Sequence, residues 1–137
     1  LTWHGPGQLV GYPIFKWNLE GETSVAAIIS ILEQWIINTL KDLGIESSRD
    51  DRMQGVWVDN KKICSIGLSF LRWVSRHGFS VNLDTPLGRV EGLAGCGLES
   101  NTTTSLARLG HQITLDQFTQ ALLNNFESST KRIIREF

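Results

Sequence analysis

Gly55-Val56-Trp57-Val58-Asp59-Asn60-Lys61-Lys62-Ile63-Cys64-Ser65-Ile66-Gly67 is the stretch on which the fold turns. Val56, Trp57 and Val58 are β-branched or aromatic, types that fit a pleated, half-buried surface. Asp59 and Asn60 tolerate the left-handed backbone that a two-residue hairpin requires. Lys61 and Lys62 then open a returning strand that runs through Ile63, Ser65 and Ile66 to Gly67. A hairpin here commits the chain to a sheet, and whatever precedes or follows must pack on that sheet or extend it.

Downstream, residues 68–76 are rich in aromatic and aliphatic types and alternate only partly, which predicts a strand buried on most of both faces. His77-Gly78 punctuates the run, Phe79-Ser80-Val81-Asn82-Leu83 resumes it, and Asp84-Thr85-Pro86-Leu87-Gly88 reads as a turn. Arg89 to Leu93 leads into Ala94-Gly95-Cys96-Gly97-Leu98, and the polar segment Asn101-Thr102-Thr103-Thr104-Ser105 is expected to be exposed. Thr114 followed by Gln117 has the spacing of a capping box. The helix it starts presents Phe118, Leu122, Phe126, Ile133, Ile134 and Phe137 on an apolar face.

Upstream, apolar residues at Val25, Ile28, Ile29, Leu32, Trp35, Ile36, Leu40 and Leu43 have the three-and-four spacing of an amphipathic helix over 24–43. Thr23 or Ser24 can cap its start and Gly44 can end it. Glu46 to Arg52 reads as a polar connection. Leu9 to Phe15 reads as a strand in which Gly11 and Pro13 argue for an edge position or the close approach of another backbone. The glycines around Pro6 suit a fixed loop and match neither common phosphate-binding pattern.

The chain has 137 residues, enough for one domain with a real core, and we read residues 1–137 as a single domain. Apolar residues make up 41% and charged residues 20%, which disfavours disorder. A net charge of −1 lacks the basic field of a nucleic-acid binder, although Lys131, Arg132 and Arg135 can meet an acidic partner. Two cysteines without CxxC spacing make neither a disulfide framework nor, with three histidines, a zinc site, so no metal and a reducing cytoplasm are expected. The most apolar run, Val25 to Leu32, falls short of the roughly 20 residues a bilayer span needs, so no membrane is expected. Leu1 to Gly7 has none of the regions of a signal peptide.

Two residues stand out for chemistry. Cys96, between two glycines, is either a small apolar filler or an unshielded nucleophile with tight-turn backbone N–H groups near it. Lys62 is either a solvated charge after a hairpin turn or a cation that stabilises a thiolate. Cys64, between Ile63 and Ser65 in a strand, reads as core. His4 and His77 each adjoin a glycine and are candidates for proton transfer.

Thr2-Trp3-His4-Gly5-Pro6-Gly7-Gln8-Leu9-Val10-Gly11-Tyr12-Pro13, Gly55 to Val58, Lys62 to Leu68 and His77 to Asn82 together resemble, in order and spacing, the octanoyltransferases (lipoyl(octanoyl) transferases) of lipoate biosynthesis. The resemblance covers residues 1 to about 98. It implies an α/β (α+β) fold with a mixed β-sheet and flanking helices, related to biotin and lipoate protein ligases. It also implies a cytoplasmic, monomeric acyltransferase without a cofactor. Such an enzyme takes an octanoyl group from octanoyl-acyl carrier protein and gives it to a lysine of the lipoyl domains of 2-oxoacid dehydrogenases and of the glycine cleavage H protein.

Carried over by position, Cys96 matches the acyl-accepting cysteine and Lys62 the lysine that lowers its pKa. Thr2, Trp3 and His4, then Ser65, Ile66 and Gly67, then Gly78, Phe79 and Ser80 match three substrate-binding blocks. The chain departs from the family pattern in two places. Gly95 stands where the family usually has proline, and the Arg-Gly-Gly that opens the first block would precede Leu1, so the chain is read as lacking the N-terminal part. The rival readings are a ligase of the biotin or lipoate class, which activates a free acid with ATP, and a non-catalytic fragment that binds carrier proteins.

Overall fold

The computed structural model describes residues 5–84 and 102–134. Four strands form its sheet: β1 (Gln8–Gly11), β2 (Val56–Val58), β3 (Lys61–Leu71) and β4 (Val74–Asn82). They lie in the order β1-β4-β3-β2, and each neighbouring pair is antiparallel. A parallel bridge joins Lys62 to Thr103 beside β2 and β3. Three helices complete the described elements: α1 (Val25–Asp42), α2 (Leu115–Asn124) and α3 (Phe126–Thr130).

Helix α1 forms where its spacing predicts. The Ser24 hydroxyl accepts from the Ala27 N–H at 3.1 Å, satisfying one of the donors that a helix start leaves open. Lys41 sits in the last turn, where a cation complements the helix dipole, and Gly44 follows at φ +80°. Ile28, Leu32, Trp35, Ile36 and Leu40 are buried. Burying an aliphatic side chain of this size contributes about 1.5–3 kcal/mol, so this face outweighs anything helix propensity alone supplies.

Trp35 connects the two layers. Its ring stands edge-on to Phe79 of β4 at 5.7 Å and to Phe126 of α3 at 5.4 Å. Its indole N–H donates to the Leu122 carbonyl of α2 at 2.9 Å. Residues paired across a ladder share a sheet face. Phe79 pairs with both Ile66 and Gly11, and Val81 with Cys64 and Leu9, so these residues form the face turned to the helices. The same register puts Ser65, Ser80, Gly67, Gly78 and Val10 on the other face.

Strand β1 is an edge strand, as Gly11 and Pro13 suggest, and another backbone does approach closely there. A Cβ on Gly78 would lie 1.8 Å from the Gly11 carbonyl oxygen, and one on Gly11 would lie 2.4 Å from the Phe79 ring. Regular pairing ends at Gly11, short of the expected Phe15, and resumes as a bridge from Lys16 to Val74. Across the gap the Ser75 hydroxyl donates to the Pro13 carbonyl and accepts from the Phe15 N–H.

Three other expectations give way. Residues 68–76 are not one strand buried on both faces: Arg72 and Trp73 adopt φ +51° and +64° and turn the chain back between β3 and β4. The hairpin's far end is accordingly exposed at Leu71 and Trp73. The part of 101–105 that is described is not exposed, because Thr104 and Ser105 are buried against β3 and β4. The last helix breaks at Asn125, and Ile133, 74% exposed, lies outside the apolar face assigned to it. The capping box at Thr114 and Gln117 is present as read.

Candidate active site

Lys62 is buried, with 5% of its surface exposed, although a lysine following a hairpin turn is ordinarily solvated. A slip in the ladder explains its placement. Val56 pairs with Cys64 but Trp57 pairs with Lys62, so one step along β2 spans two along β3 and Ile63 is the extra residue. Across this bulge the side-chain alternation reverses. Lys62 therefore shares a face with Trp57, away from the helices, while Cys64 stays with Val56 in the core.

The lysine is held along its length. Its ammonium lies 3.1 Å from the Met53 sulfur, a weak acceptor. Its Cδ lies 3.3 Å from where a Cβ on Gly55 would be, and that Cβ would also fall 2.3 Å from the Cys64 carbonyl oxygen. Gly55, at φ +138°, is the residue type that lets the entry to β2 close over the lysine stem.

The main chain beside Lys62 is fixed as well. Thr104 N–H donates to the Lys62 carbonyl at 3.0 Å. The Asn82 amide donates to the Thr104 carbonyl at 3.2 Å, and its side-chain oxygen accepts from Gln8 at 2.9 Å. Leu106 N–H donates to the Asn82 carbonyl at 2.9 Å, while Leu83 and Asp84 donate to Gly7 at 3.0 and 2.8 Å. Leu83 and Asp84 are thus held at the β1–β4 edge, while Thr103 and Thr104 lie directly beside Lys62.

Of the sequence-derived site residues, Lys62, Ser65, Gly67, Gly78 and Ser80 lie on the sheet face away from the helices. Ile66 and Phe79 alternate to the core face, where both side chains are buried. His77 is exposed at φ +65°. Thr2, Trp3, His4 and Cys96 lie outside the described residues.

Cys64 is core, as read. Burial pushes its thiol up to about 12, with the Lys62 charge pulling down and the Glu33 charge pushing up. No useful thiolate forms on it at neutral pH.

Glu33, Met53 and Asn82 escaped the sequence reading. A signal for Glu33 existed: it sits on the apolar face of α1, four residues after Ile29 and three before Ile36, where a charge demands partners. It is 7% exposed and accepts from the Gly55 N–H at 3.0 Å and from Arg49 at 3.1 Å. Among the described residues no cluster of three His, Cys, Asp or Glu side chains can hold a metal ion. No described helix is long and apolar enough to cross a membrane.

Comparison with known proteins places this geometry in a family. The lipoyl protein ligase A/B catalytic domain matches residues 1–127. An octanoyltransferase of Solibacter usitatus is 43% identical over 126 residues, covering 92% of this chain and 56% of that protein. One of Novosphingobium aromaticivorans is 41% identical, covering 96% and 61%. The chain thus spans little more than half the length of these curated relatives.

Among solved structures, a bipartite lipoate protein ligase of Thermoplasma acidophilum superimposes with a TM-score of 0.72 at 14% identity, covering 98% of this chain and 55% of that one. The biotin protein ligase of Aquifex aeolicus does so with a TM-score of 0.69 at 12% identity, covering 91% and 53%. These likenesses establish the α/β fold. The family match and the curated relatives together establish that the chain belongs to the lipoyl protein ligase A/B catalytic-domain family.

Proposed function

We propose that the protein is an octanoyltransferase of lipoate biosynthesis, working through a cysteine thioester on Cys96 with Lys62 as the neighbouring cation. The supporting observation is the burial of Lys62 at the point where the chain returns from residue 101. Residue 96 precedes residue 102 by six, and six residues extend at most about 20 Å. A connection of that length is compatible with Cys96 meeting the end of β3 that carries the buried Lys62 ammonium. Relatives named octanoyltransferase favour acyl transfer over ATP-driven ligation.

The Cys96 thiolate attacks the thioester carbonyl of octanoyl-acyl carrier protein. A new C–S bond forms, the old one breaks, and the carrier sulfur leaves as a thiol by taking the Lys62 ammonium proton, which makes Lys62 a neutral amine. One thioester replaces another, so no nucleotide is needed. The lysine amine of a lipoyl domain then attacks the acyl-enzyme, sheds a proton and forms an amide as the Cys96 thiolate departs. Protonated Lys62 holds the free Cys96 sulfur as an anion before the first step and after the second, and the neutral amine left by the first step accepts the proton that the incoming amine sheds. The other substrate contacts are Thr2, Trp3 and His4, Ser65 to Gly67, and Gly78 to Ser80. The acceptors are the lipoyl domains of 2-oxoacid dehydrogenases and the glycine cleavage H protein, and a reducing cytoplasm suits a catalytic free thiol.

Incubation with octanoyl-acyl carrier protein should leave a hydroxylamine-sensitive adduct on Cys96, and Cys96→Ala should carry none. An adduct on Cys64, or none on a folded protein, overturns the assignment. ATP-dependent transfer of a free acid by Cys96→Ala would instead point to a ligase.

A further inference from the structure

Three consecutive residues before β2 are each held by a different element, and together they cover Lys62. The Met53 carbonyl accepts from the indole N–H of Trp57 in β2 at 3.3 Å. Gln54 donates its side-chain amide to the Ile66 carbonyl of β3 at 3.0 Å. Gly55 donates its N–H to the buried Glu33 carboxylate of α1 at 3.0 Å. Arg49 binds the other Glu33 oxygen and also donates to the Ser30 carbonyl at 2.9 Å, so the carboxylate is itself fixed on the helix. With both ends set, the Met53 sulfur meets the Lys62 ammonium and Gly55 rests on the lysine stem.

We infer that residues 53–55 form a strap that aims the Lys62 ammonium, and that Met53 and Glu33 are positioning residues acting through that lysine. The inference rests on the reading of Lys62 as the cation that keeps a catalytic thiol ionised. A lysine stem has four rotatable bonds, and a thiolate gains from a cation only within a few ångströms. Burying the stem is not enough, since the head must also be confined. The thioether supplies a soft, weak acceptor that limits the head without neutralising it, and the Glu33 anchor stops the strap from lifting. The Glu33 carboxylate grips the backbone at Gly55, and a thioether touches the ammonium.

Iodoacetamide labelling of the full chain tests this cleanly, because the Cys64 thiol is buried and stays protonated. Met53→Leu keeps the volume and removes the acceptor, and Glu33→Ala removes the anchor. Each should slow labelling at pH 7 several-fold and move its pH midpoint upward, towards the behaviour of Lys62→Met. Neither should add to the effect of Lys62→Met when combined with it, since both act through the lysine. Glu33→Gln keeps an acceptor for the Gly55 N–H and should recover most of the rate.

Folded Met53→Leu protein that labels at the parental rate, alongside slow Lys62→Met, overturns the strap and leaves the Lys62 reading intact. Full additivity with Lys62→Met also overturns it. If Lys62→Met itself labels at the parental rate, the reading of the cation fails and the strap fails with it. Should Glu33→Ala not fold, Met53→Leu decides the matter alone.

Discussion

Two residues two positions apart on one strand are buried with opposite consequences. Lys62 is shielded yet aimed away from the core, while Cys64 is sealed within it, and a single extra residue at Ile63 separates their fates. The Cys64 thiol rises from an ordinary 9.0 to about 12 because burial penalises its anion. A raised pKa means that the folded state keeps a proton the unfolded chain gives up. The associated stability is therefore complete below pH 9 and drains away as pH climbs towards 12. Urea midpoints should fall over that window in the parent, and the fall should be shallower in Cys64→Ala once its lower starting stability is allowed for. Parallel curves for the two proteins would show that the thiol is not sealed as described.

At the scale of elements, the sheet depends on how closely β1 can approach β4. Gly11 and Gly78 remove the side chains that would hold these strands apart, and Ser75 bridges the gap around Pro13. Overpacking a tight site typically costs 1–3 kcal/mol, and here the obstacle is backbone rather than a movable side chain. Gly78→Ala should therefore destabilise the protein by about 2–3 kcal/mol in urea unfolding, whereas Gly67→Ala should cost under about 1 kcal/mol, since nothing lies within 4 Å of its added Cβ. Equal losses at the two glycines would mean that β1 does not sit where the register puts it.

Across the whole molecule, one ion pair joins distant parts of the chain. Arg132 donates to both Glu22 oxygens at 2.9 and 2.8 Å and to the Thr130 and Lys16 carbonyls at 2.8 Å each. Its guanidinium also lies over the rings of Phe15 and Trp17, at 5.1 and 4.6 Å. Glu22 is buried, and its hydrogen bond to Arg132, more than any other influence, holds its carboxyl below the ordinary 4.5. A depressed pKa contributes stability that is present above pH 4.5 and is lost as acid protonates the folded state. The parent should lose more of its urea midpoint between pH 7 and pH 3.5 than Glu22→Gln does, and an equal loss would remove this clamp from the account of acid stability. Arg132→Ala leaves the buried Glu22 carboxylate without its charged partner, so it should lower the midpoint even at pH 7.

Local patterns were enough for α1, for the Asp59-Asn60 turn and for the Thr114 cap, because spacing, left-handed tolerance and capping chemistry act within a few residues. They were not enough for the second hairpin. Arg72 and Trp73 are poor turn formers, and it is the long pairing of β3 with β4 that holds them at positive φ. Thr104 and Ser105 look polar and exposed in isolation, yet both are buried, and the Thr104 N–H finds its partner on a sheet assembled from residues far earlier. The resemblance pointed to Lys62 by name. What it could not supply was the bulge that turns the side chain to the open face, or the sulfur and carboxylate that fix it there. Those depend on contacts between β2, β3 and α1, and a contact between segments has no period in the sequence to betray it.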